Sequence, residues 1–328
     1  MSLFGKQREA EHLPGFEGAT GWLNSPPLSP ADLRGKVVLV DFWTYTCINW
    51  LRTLGYLRAW AEKYEDQGLV VVGVHTPEFP FEQDVDNVRQ AAKDLTVEYP
   101  IALDSGYEVW RAFSNRYWPA VYIADAEGRI RHNQFGEGGY AECEMVIQRL
   151  LREAGRDGIG DDLVSVAPDG FEAQADWGNL ETPETYLGYE QAANFASPGG
   201  AEPDEARTYV VPDQLILNRW ALAGDWTVES GACVLNRAEG RIAFRFHARD
   251  VHLVMGPRAR DEWVAFGVLV DGEPPGAAHG LDVDEQGRGT LSQQRLHQLI
   301  RQPGSITDRT FEIAFDAPGT EAYCFTFG

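Results

Sequence analysis

Apolar residues follow two different patterns along the chain, and the change falls near residue 155. Before it, unbroken apolar runs of strand length occupy Lys36–Trp43 and Leu69–Val74, which is typical of parallel strands buried on both faces. Between and after them, apolar residues recur at helical spacing. Further strands are predicted at Tyr99–Leu103, Ala120–Ile123 and Arg129–Gln134, and helices at Asn49–Gln67, Phe81–Leu95, Gly106–Phe113 and Tyr140–Ala154. This order predicts a mixed sheet covered by helices, an α/β domain over residues 1–155.

The second part of the chain has a different rhythm. Residues 156–180 are rich in Gly and Asp, contain the turn signal Pro168-Asp169-Gly170, and are predicted to be a linker. From 181 to 328, short β-rich runs alternate with turn signals, which predicts an antiparallel β-sandwich. These runs are Trp226–Leu235, Arg241–Phe246, Val251–Met255, Trp263–Val270, Thr310–Phe315 and Ala322–Phe327. The pattern of Leu291–Ile300 fits either a short helix or a strand.

The charge balance narrows the range of partners. The chain carries 28 Lys and Arg against 50 Asp and Glu, a formal net charge of −22. A surface of this sign repels phosphate backbones and anionic lipid, so no nucleic-acid partner is expected. No apolar run is long enough for a membrane span, and the first residues lack the apolar core of a secretory signal. The chain is therefore predicted to be cytoplasmic, with a periplasmic or extracytoplasmic location as the alternative if a leader or membrane domain preceded it.

Four cysteines, Cys47, Cys143, Cys233 and Cys324, are too few for a disulfide framework and stand in no metal-ligand spacing. Neither a metal site nor a cofactor is expected. Cys47 differs from the others because it comes just after a buried strand and at the first turn of a helix. The helix N-terminus stabilises a thiolate there, so Cys47 is the candidate nucleophile.

The residues around Cys47 resemble a known family. The phrase VDFWTYTCIN, with PADLRGKVVL before it, is similar to the active site of thioredoxin-like redoxins of the TlpA and DipZ type. The downstream phrases GVHTPEF and TPETYLGYEQAANFASPG extend the resemblance over nearly the whole chain. It implies a thioredoxin-like domain followed by a jelly-roll sandwich similar to carbohydrate-binding modules.

The resemblance also implies roles for individual residues. Cys47 falls on the attacking cysteine, and Asp41 on the buried carboxylate that helps deprotonate a second, resolving cysteine. Trp43 falls on the aromatic residue beside the motif. Trp118 and Pro119 fall on the family's cis-proline, whose backbone would bind a substrate chain.

The motif departs from the family at one position. It reads Cys47-Ile48-Asn49-Trp50, so Trp50 stands where the resolving cysteine is expected. Dithiol exchange needs that second thiolate. Monothiol chemistry, resolved by an external thiol such as glutathione or thioredoxin, is therefore the favoured hypothesis.

Three alternatives stay open beside it. Thr44 and Cys47 form the T-x-x-C of peroxiredoxins, so a one-Cys peroxidase is one. Loss of catalysis, leaving a binding module on a thioredoxin scaffold, is another. In the third, Cys143 resolves Cys47 internally. The expected partner is a protein or small-molecule thiol or disulfide.

Two other groups receive simpler interpretations. Glu78, Glu82, Asp84 and Asp86 are predicted to form a solvated helix face. In the second domain, aromatic residues could stack on a sugar, but no motif implies a carbohydrate ligand. These residues are Tyr186, Tyr189, Trp220, Trp226 and Trp263.

Overall fold

The computed structural model describes residues 11–260 and 262–328. The predicted lack of a secretory signal concerns mainly residues 1–10, which lie outside the described residues. The chain divides into two units, one ending at Glu172 and one beginning at Ala173. Among the described residues, no helix combines the length and the apolar character that a membrane crossing requires.

The first unit is built on a mixed sheet whose central strand is buried along its whole length. Its strands are β1 (Gly21–Leu23), β2 (Val37–Trp43), β3 (Leu69–His75), β4 (Ile101–Leu103), β5 (Ala120–Ala124) and β6 (Ile130–Phe135). Their order is β1-β4-β3-β2-β5-β6. Strands β2, β3 and β4 are parallel, whereas β5 and β6 continue the sheet in antiparallel fashion. This is the mixed sheet that the α/β pattern predicts, in the thioredoxin-like arrangement that the resemblance implies.

The helices of the first unit are α1 (Ile48–Tyr64), α2 (Val85–Asp94), α3 (Glu108–Ala112) and α4 (Tyr140–Glu153). The prediction of one helix over Phe81–Leu95 is wrong at its start. A separate 3₁₀ turn occupies Pro80–Gln83, and α2 begins after Asp84. The Asp84 carboxylate accepts a hydrogen bond from the backbone N–H of Asp86 at 2.9 Å, so it caps α2 and separates the two elements.

The alternation of β2 assigns its side chains to two faces. Val38, Val40 and Phe42 belong to an apolar cluster that includes Phe113 and Tyr122. Asp41 lies on the other face, where a residue of α1 donates a hydrogen bond to it. Asp41 fixes the register of β2, because a shift by one residue would move its carboxylate away from Trp50 and into the apolar cluster.

The first residues after α4 pack against the first unit. The buried Glu144 on α4 accepts hydrogen bonds from the hydroxyl of Tyr64 at 2.7 Å and from the backbone N–H of Val164 at 2.9 Å. Further along, Arg58 on α1 forms an ion pair with Glu172 at 2.5 Å. Part of the segment that composition predicts as a linker is therefore held by specific polar contacts.

The second unit is an antiparallel β-sandwich. The strands are β7 (Thr185–Tyr186), β8 (Ala206–Tyr209), β9 (Trp220–Val228), β10 (Cys233–Leu235), β11 (Gly240–Phe246), β12 (Asp250–Pro257), β13 (Val264–Val270), β14 (Arg288–Leu291), β15 (Arg295–Arg301), β16 (Arg309–Phe315) and β17 (Thr320–Phe327). The main sheet has the order β14-β13-β16-β11-β9-β10-β17-β12-β15; in addition, β7 pairs with β17 and β8 pairs with β9.

Contacts between strands that are not neighbours show that this sheet folds over on itself. Phe244 on β11 packs against Phe325 on β17 with ring centroids 5.2 Å apart, and Phe311 on β16 packs against Phe325 at 5.7 Å. Strand β9 pairs with β11 on one side and with β10 on the other, so it joins the two halves of the sheet. Gly224 in β9 has a φ of +97°, which residues other than glycine adopt only with strain. The two halves of the sheet thus enclose one apolar core.

Two sequence interpretations of this unit are refined. The single run Trp226–Leu235 is two strands, the end of β9 and β10, because a turn closes between them with the backbone N–H of Glu229 bonded to Ala232 O at 2.8 Å. The ambiguous stretch Leu291–Ile300 is extended: it holds the end of β14 and most of β15.

Candidate active site

Cys47 occupies the N-cap of α1 at the end of a short loop that follows β2. Its backbone is extended, with φ of −76° and ψ of 109°, and its carbonyl accepts the first hydrogen bond of the helix, from Leu51 N at 3.0 Å. The side chain is partly exposed, unlike those of the other three cysteines, which are buried. The position of Cys47 after a buried strand, at the positive end of a helix, agrees with the prediction from the sequence. Its partial exposure is a finding of the structure.

Asp41 and Trp50 form a buried pair beneath this helix turn. The indole N–H of Trp50 donates a hydrogen bond to Oδ2 of Asp41 at 2.8 Å, and both residues are fully buried. Oδ1 of Asp41 has no hydrogen-bond partner among the described residues. Burial raises the pKa of Asp41 to about 7, although the bond from Trp50 acts in the opposite direction. The residue at the resolving position thus contacts the carboxylate, but through an indole N–H rather than a thiol.

Trp43 extends this buried aromatic layer. Its ring stacks on Trp50 with centroids 4.3 Å apart and meets the ring of His75 edge-on at 4.9 Å. His75 ends β3 and is 1% exposed. Burial lowers the pKa of His75 to about 3, so this ring is neutral at physiological pH.

The remaining motif residues take different positions. Thr44 is fully buried at the start of the loop, and Thr46 is buried just before Cys47. Asn49 lies in the first turn of α1, where its carbonyl accepts a hydrogen bond from the hydroxyl of Thr53 at 3.0 Å. Of the motif side chains from Trp43 to Trp50, only Cys47 and Asn49 keep appreciable contact with solvent.

The Trp118–Pro119 peptide bond is cis, which confirms the prediction made from the resemblance. Pro119 precedes β5, whose first residue Ala120 pairs with Phe42 near the end of β2. The indole N–H of Trp118 donates to the carbonyl of Thr76 at 3.1 Å, in the loop after β3. The proline therefore lies at the same end of the sheet as the loop that carries Cys47.

An exposed aromatic pair borders this end of the sheet. Tyr117 is 52% exposed and Phe135 is 37% exposed, with ring centroids 5.2 Å apart. Phe135 pairs in register with Ala120, beside Pro119. Aromatic surface of this kind is available to a substrate chain that lies along the proline.

Glu82 is a residue of this site that the sequence interpretation misplaced. It is fully buried rather than part of a solvated helix face. Its Oε1 accepts a hydrogen bond from the hydroxyl of Thr46 at 2.6 Å, and its Oε2 accepts from the backbone N–H groups of Glu78 and Phe79 at 2.6 and 2.9 Å. A sequence signal for it exists: a Glu three residues after Phe79, with Pro80 opening the turn, is the spacing of a helix-capping acid.

Cys143 and Cys233 have surroundings that oppose thiolate formation. Cys143 lies near the start of α4 with its Sγ 3.6 Å from Nε2 of His132, and burial raises its pKa to about 12. Burial also raises the pKa of Cys233 well above its usual range. A resolving role for Cys143 is therefore not supported by its environment.

The aromatic residues of the second unit separate into core and surface. Trp220 and Trp226 are fully buried, so they serve the core of the sandwich and cannot stack on a ligand. Tyr189 is 36% exposed and Trp263 is 73% exposed. Among the described residues, no group of three or more His, Cys, Asp or Glu side chains could hold a metal ion.

Two protein-family profiles match the chain. Residues 10–133 match the AhpC/TSA family, and residues 182–328 match the thioredoxin-like C-terminal domain. Among solved structures, the solution structure of a thioredoxin-like protein in its oxidised form shows 31% identity over 45% of this chain and 99% of its own length, with a TM-score of 0.40.

Curated relatives cover different parts of the chain. Protein DipZ of Mycobacterium bovis is 39% identical over 96% of this chain, and the chain spans 42% of the length of that relative. The thiol-disulfide oxidoreductase YkuV of Bacillus subtilis is 31% identical over 43% of this chain and 95% of its own length. Because the match to YkuV covers nearly all of that relative, it carries the assignment. This chain belongs to the thioredoxin-like family of thiol-disulfide oxidoreductases, as a homologue of DipZ.

Proposed function

We propose that this chain is a monothiol member of its family, in which Cys47 exchanges disulfides without a resolving cysteine. One observation carries the proposal. At the position of the resolving thiol stands Trp50, whose indole N–H is hydrogen-bonded to the buried Asp41 at 2.8 Å. The side chain that a dithiol member would use to expel its substrate is here a stacked part of the core.

The chemistry proceeds in two balanced steps. The Cys47 thiolate attacks one sulfur of a substrate disulfide, forming a mixed disulfide with that half and releasing the other half as a thiolate. An external thiolate of the glutathione or thioredoxin class then attacks the sulfur of the bound half, which forms a new disulfide with that half and releases the Cys47 thiolate. One half of the substrate leaves as a thiol and the other as a mixed disulfide with the external thiol, so the net reaction is disulfide exchange.

The neighbouring residues support this reaction by position. The N-terminus of α1 stabilises the Cys47 thiolate. Trp43 and Trp50 close the interior behind it, so attack on the mixed disulfide must come from the solvent side. Pro119 lies at the same end of the sheet as the loop that carries Cys47, with Trp118 beside it, and a bound substrate chain would lie along this surface. Thr44 lies in the loop before the thiol, and Asn49 lies in the first turn of α1 after it.

The test is the fate of the mixed disulfide. Oxidised glutathione is added to the wild type, to Cys47→Ser, to Trp50→Cys and to Trp50→Phe, and intact-mass spectrometry follows the adduct. The wild type and Trp50→Phe are expected to retain one glutathione until reduced thiol is added. Trp50→Cys is expected to expel it unaided, and Cys47→Ser to form none at this site. Spontaneous loss of glutathione from the wild type would contradict the monothiol proposal.

A second candidate, a one-Cys peroxidase, is favoured by the AhpC/TSA match over residues 10–133 and by Thr44 three residues before Cys47. In that reaction the Cys47 thiolate attacks the peroxide O–O bond, giving a sulfenic acid and an alcohol or water. Dimedone trapping after addition of peroxide distinguishes the two. Rapid sulfenic-acid formation at Cys47, without glutathionylation, would replace the exchange proposal.

A binding module without catalysis makes a third, opposite prediction. The alkylation rate of Cys47 would then rise with pH around the ordinary thiol value of about 8.5. The reactive-thiol proposal expects the midpoint of that rate profile at lower pH. The compartment in which the protein acts, cytoplasmic or extracytoplasmic, stays a prediction from the sequence.

A further inference from the structure

We propose that Glu82 is a positioning residue for Cys47, acting through Thr46. This inference rests on the proposed function, because it concerns the same thiol. Glu82 lies in the 3₁₀ turn Pro80–Gln83 and is fully buried. It contacts Thr46, the residue directly before Cys47, although it stands 36 positions further along the chain than Thr46.

The carboxylate of Glu82 joins two loops. Its Oε1 accepts from the hydroxyl of Thr46 at 2.6 Å, on the loop between β2 and α1. Its Oε2 accepts from the N–H groups of Glu78 and Phe79 at 2.6 and 2.9 Å, on the loop after β3. Since β2 and β3 are parallel neighbours, both loops leave the same edge of the sheet. Three donors meet two carboxylate oxygens, so an acceptor at both positions is required.

The consequence for Cys47 follows from its place in the helix cap. A thiolate gains from the first N–H groups of α1 only while the loop holds Cys47 at the N-cap. The bond from Glu82 restrains Thr46, and Thr46 is joined to Cys47 by a single peptide unit. Loss of this bond should therefore loosen the cap and weaken thiolate stabilisation.

The charge of Glu82 and its positioning role have opposite effects on the pKa of the Cys47 thiol. The direction in which the alkylation profile shifts therefore tests the inference. A negative charge near a thiol disfavours the thiolate. If Glu82 mattered only as a charge, its neutralisation would shift the alkylation profile of Cys47 to lower pH. If it positions the loop, neutralisation shifts the profile to higher pH. The titratable groups that face Glu82 are Tyr45 and Tyr107, with Glu78 and Asp84 on its own loop. Neither Glu82→Gln nor Thr46→Val replaces any of these groups.

The experiment measures the rate of Cys47 alkylation against pH in the full chain. The variants are Glu82→Gln and Thr46→Val, and the matched control is Glu144→Gln. Glu144 is also a buried carboxylate, 2% exposed, that accepts several hydrogen bonds, but it joins α1 to α4 and residue 164. Both test variants are expected to shift the midpoint to higher pH and to slow alkylation at pH 7 about threefold or more. The control is expected to keep the wild-type profile.

A second measurement, which does not depend on the reactivity of the thiol, is needed in case a variant folds poorly or Cys47 reacts slowly. Amide hydrogen exchange of residues 44–47 is expected to be faster in Thr46→Val than in the wild type, and unchanged in Glu144→Gln. A downward shift in Glu82→Gln, or unchanged exchange in Thr46→Val, would overturn the positioning role. An equal effect in the control would do so as well. A wild-type thiol with an ordinary profile would instead refute the proposed function, and the exchange data would still decide the role of Glu82.

Discussion

At the scale of single residues, the site is a partly exposed thiol in front of a buried polar pair. Asp41 is the less well solvated member of that pair, because one of its buried carboxylate oxygens has no hydrogen-bond partner among the described residues. An acid in such surroundings is expected to cost stability when it ionises. Trp50 offsets part of that cost with its N–H group, which explains how a bulky indole is accommodated in place of a cysteine.

The raised pKa of Asp41 predicts a defined pH dependence of stability. Its pKa is about 7 in the fold and 3.8 in its ordinary environment. The unfolded chain therefore loses this proton at lower pH than the folded chain. Its contribution to stability is fully present below about pH 4 and is lost progressively as pH rises to about 7.

The variant Asp41→Asn should abolish this contribution while keeping an acceptor for Trp50. Near pH 4 the folded wild type carries a protonated, neutral Asp41, so the unfolding free energies of the variant and the wild type are expected to be similar. The unfolding free energy of the variant should rise above that of the wild type toward pH 8, by an amount on the order of 4 kcal/mol at most. Urea denaturation at several pH values measures the difference. A difference that stays constant with pH would show that Asp41 ionises normally in the fold.

At the scale of elements, strand β3 shows how tightly the site is packed from behind. Gly73 lies on β3 opposite Asp41, and a Cβ built on it would come within 2.7 Å of Nε1 of Trp43 and 3.1 Å of a ring carbon of Tyr99. The glycine therefore makes room for the aromatic layer behind Cys47. Its conformation is not the reason for its presence, since its φ is not positive.

Gly73→Ala is accordingly expected to destabilise the first unit by roughly 1–3 kcal/mol through overpacking. The matched control is Gly267→Ala on β13, where a Cβ would meet no atom within 4 Å. Thermal denaturation of both variants checks the contrast. Equal losses in the two strands would indicate that strand propensity, and not the contact with Trp43, decides the effect.

The start of α2 offers a second test at this scale. Asp84 caps the helix through Asp86 N, whereas the side chain of Asp86 is exposed and pairs with Arg89. Asp84→Ala should lower the unfolding free energy by about 1 kcal/mol, and Asp86→Ala by less. Denaturant titration of the two variants gives the comparison; a larger loss in the second would remove the cap as the cause of the break between the 3₁₀ turn and α2.

At the scale of the whole molecule, two units share one strongly acidic chain. Each has its own apolar cluster, one around β2 and one between the halves of the sandwich. The net charge of −22 is spread over 328 residues. Charge of this sign acts on partners at long range and governs which of them approach.

This charge predicts weak binding to polyanions. The chain is expected to pass through a heparin column at 50 mM salt without retention and to bind an anion exchanger under the same conditions. Chromatography of the wild type checks both outcomes. Retention on heparin would reveal a local basic surface that the overall charge conceals.

Local patterns in the sequence determined the type of most elements and the setting of Cys47. The unbroken apolar run of β2 and the helical spacing after it predicted a thiol at the first turn of a helix. These two features depend on residues close together in the chain, and for that reason the sequence alone could supply them. The cis-proline lies far along the chain from Cys47, and only the resemblance predicted it. The sequence also shows that Trp50 occupies the position of the resolving cysteine, so this motif has no second thiol for dithiol exchange.

Only the tertiary structure decided which distant residues meet. Glu82 reads as a surface acid along the chain, but the parallel pairing of β2 and β3 turns it inward onto Thr46. The same applies to Asp41 and Trp50, whose hydrogen bond requires α1 to pack on one face of β2. The fold-over of the sandwich likewise depends on contacts between Phe244 and Phe325, which are far apart in sequence. Periodicity reports burial one element at a time, whereas these contacts arise from the packing of one element on another.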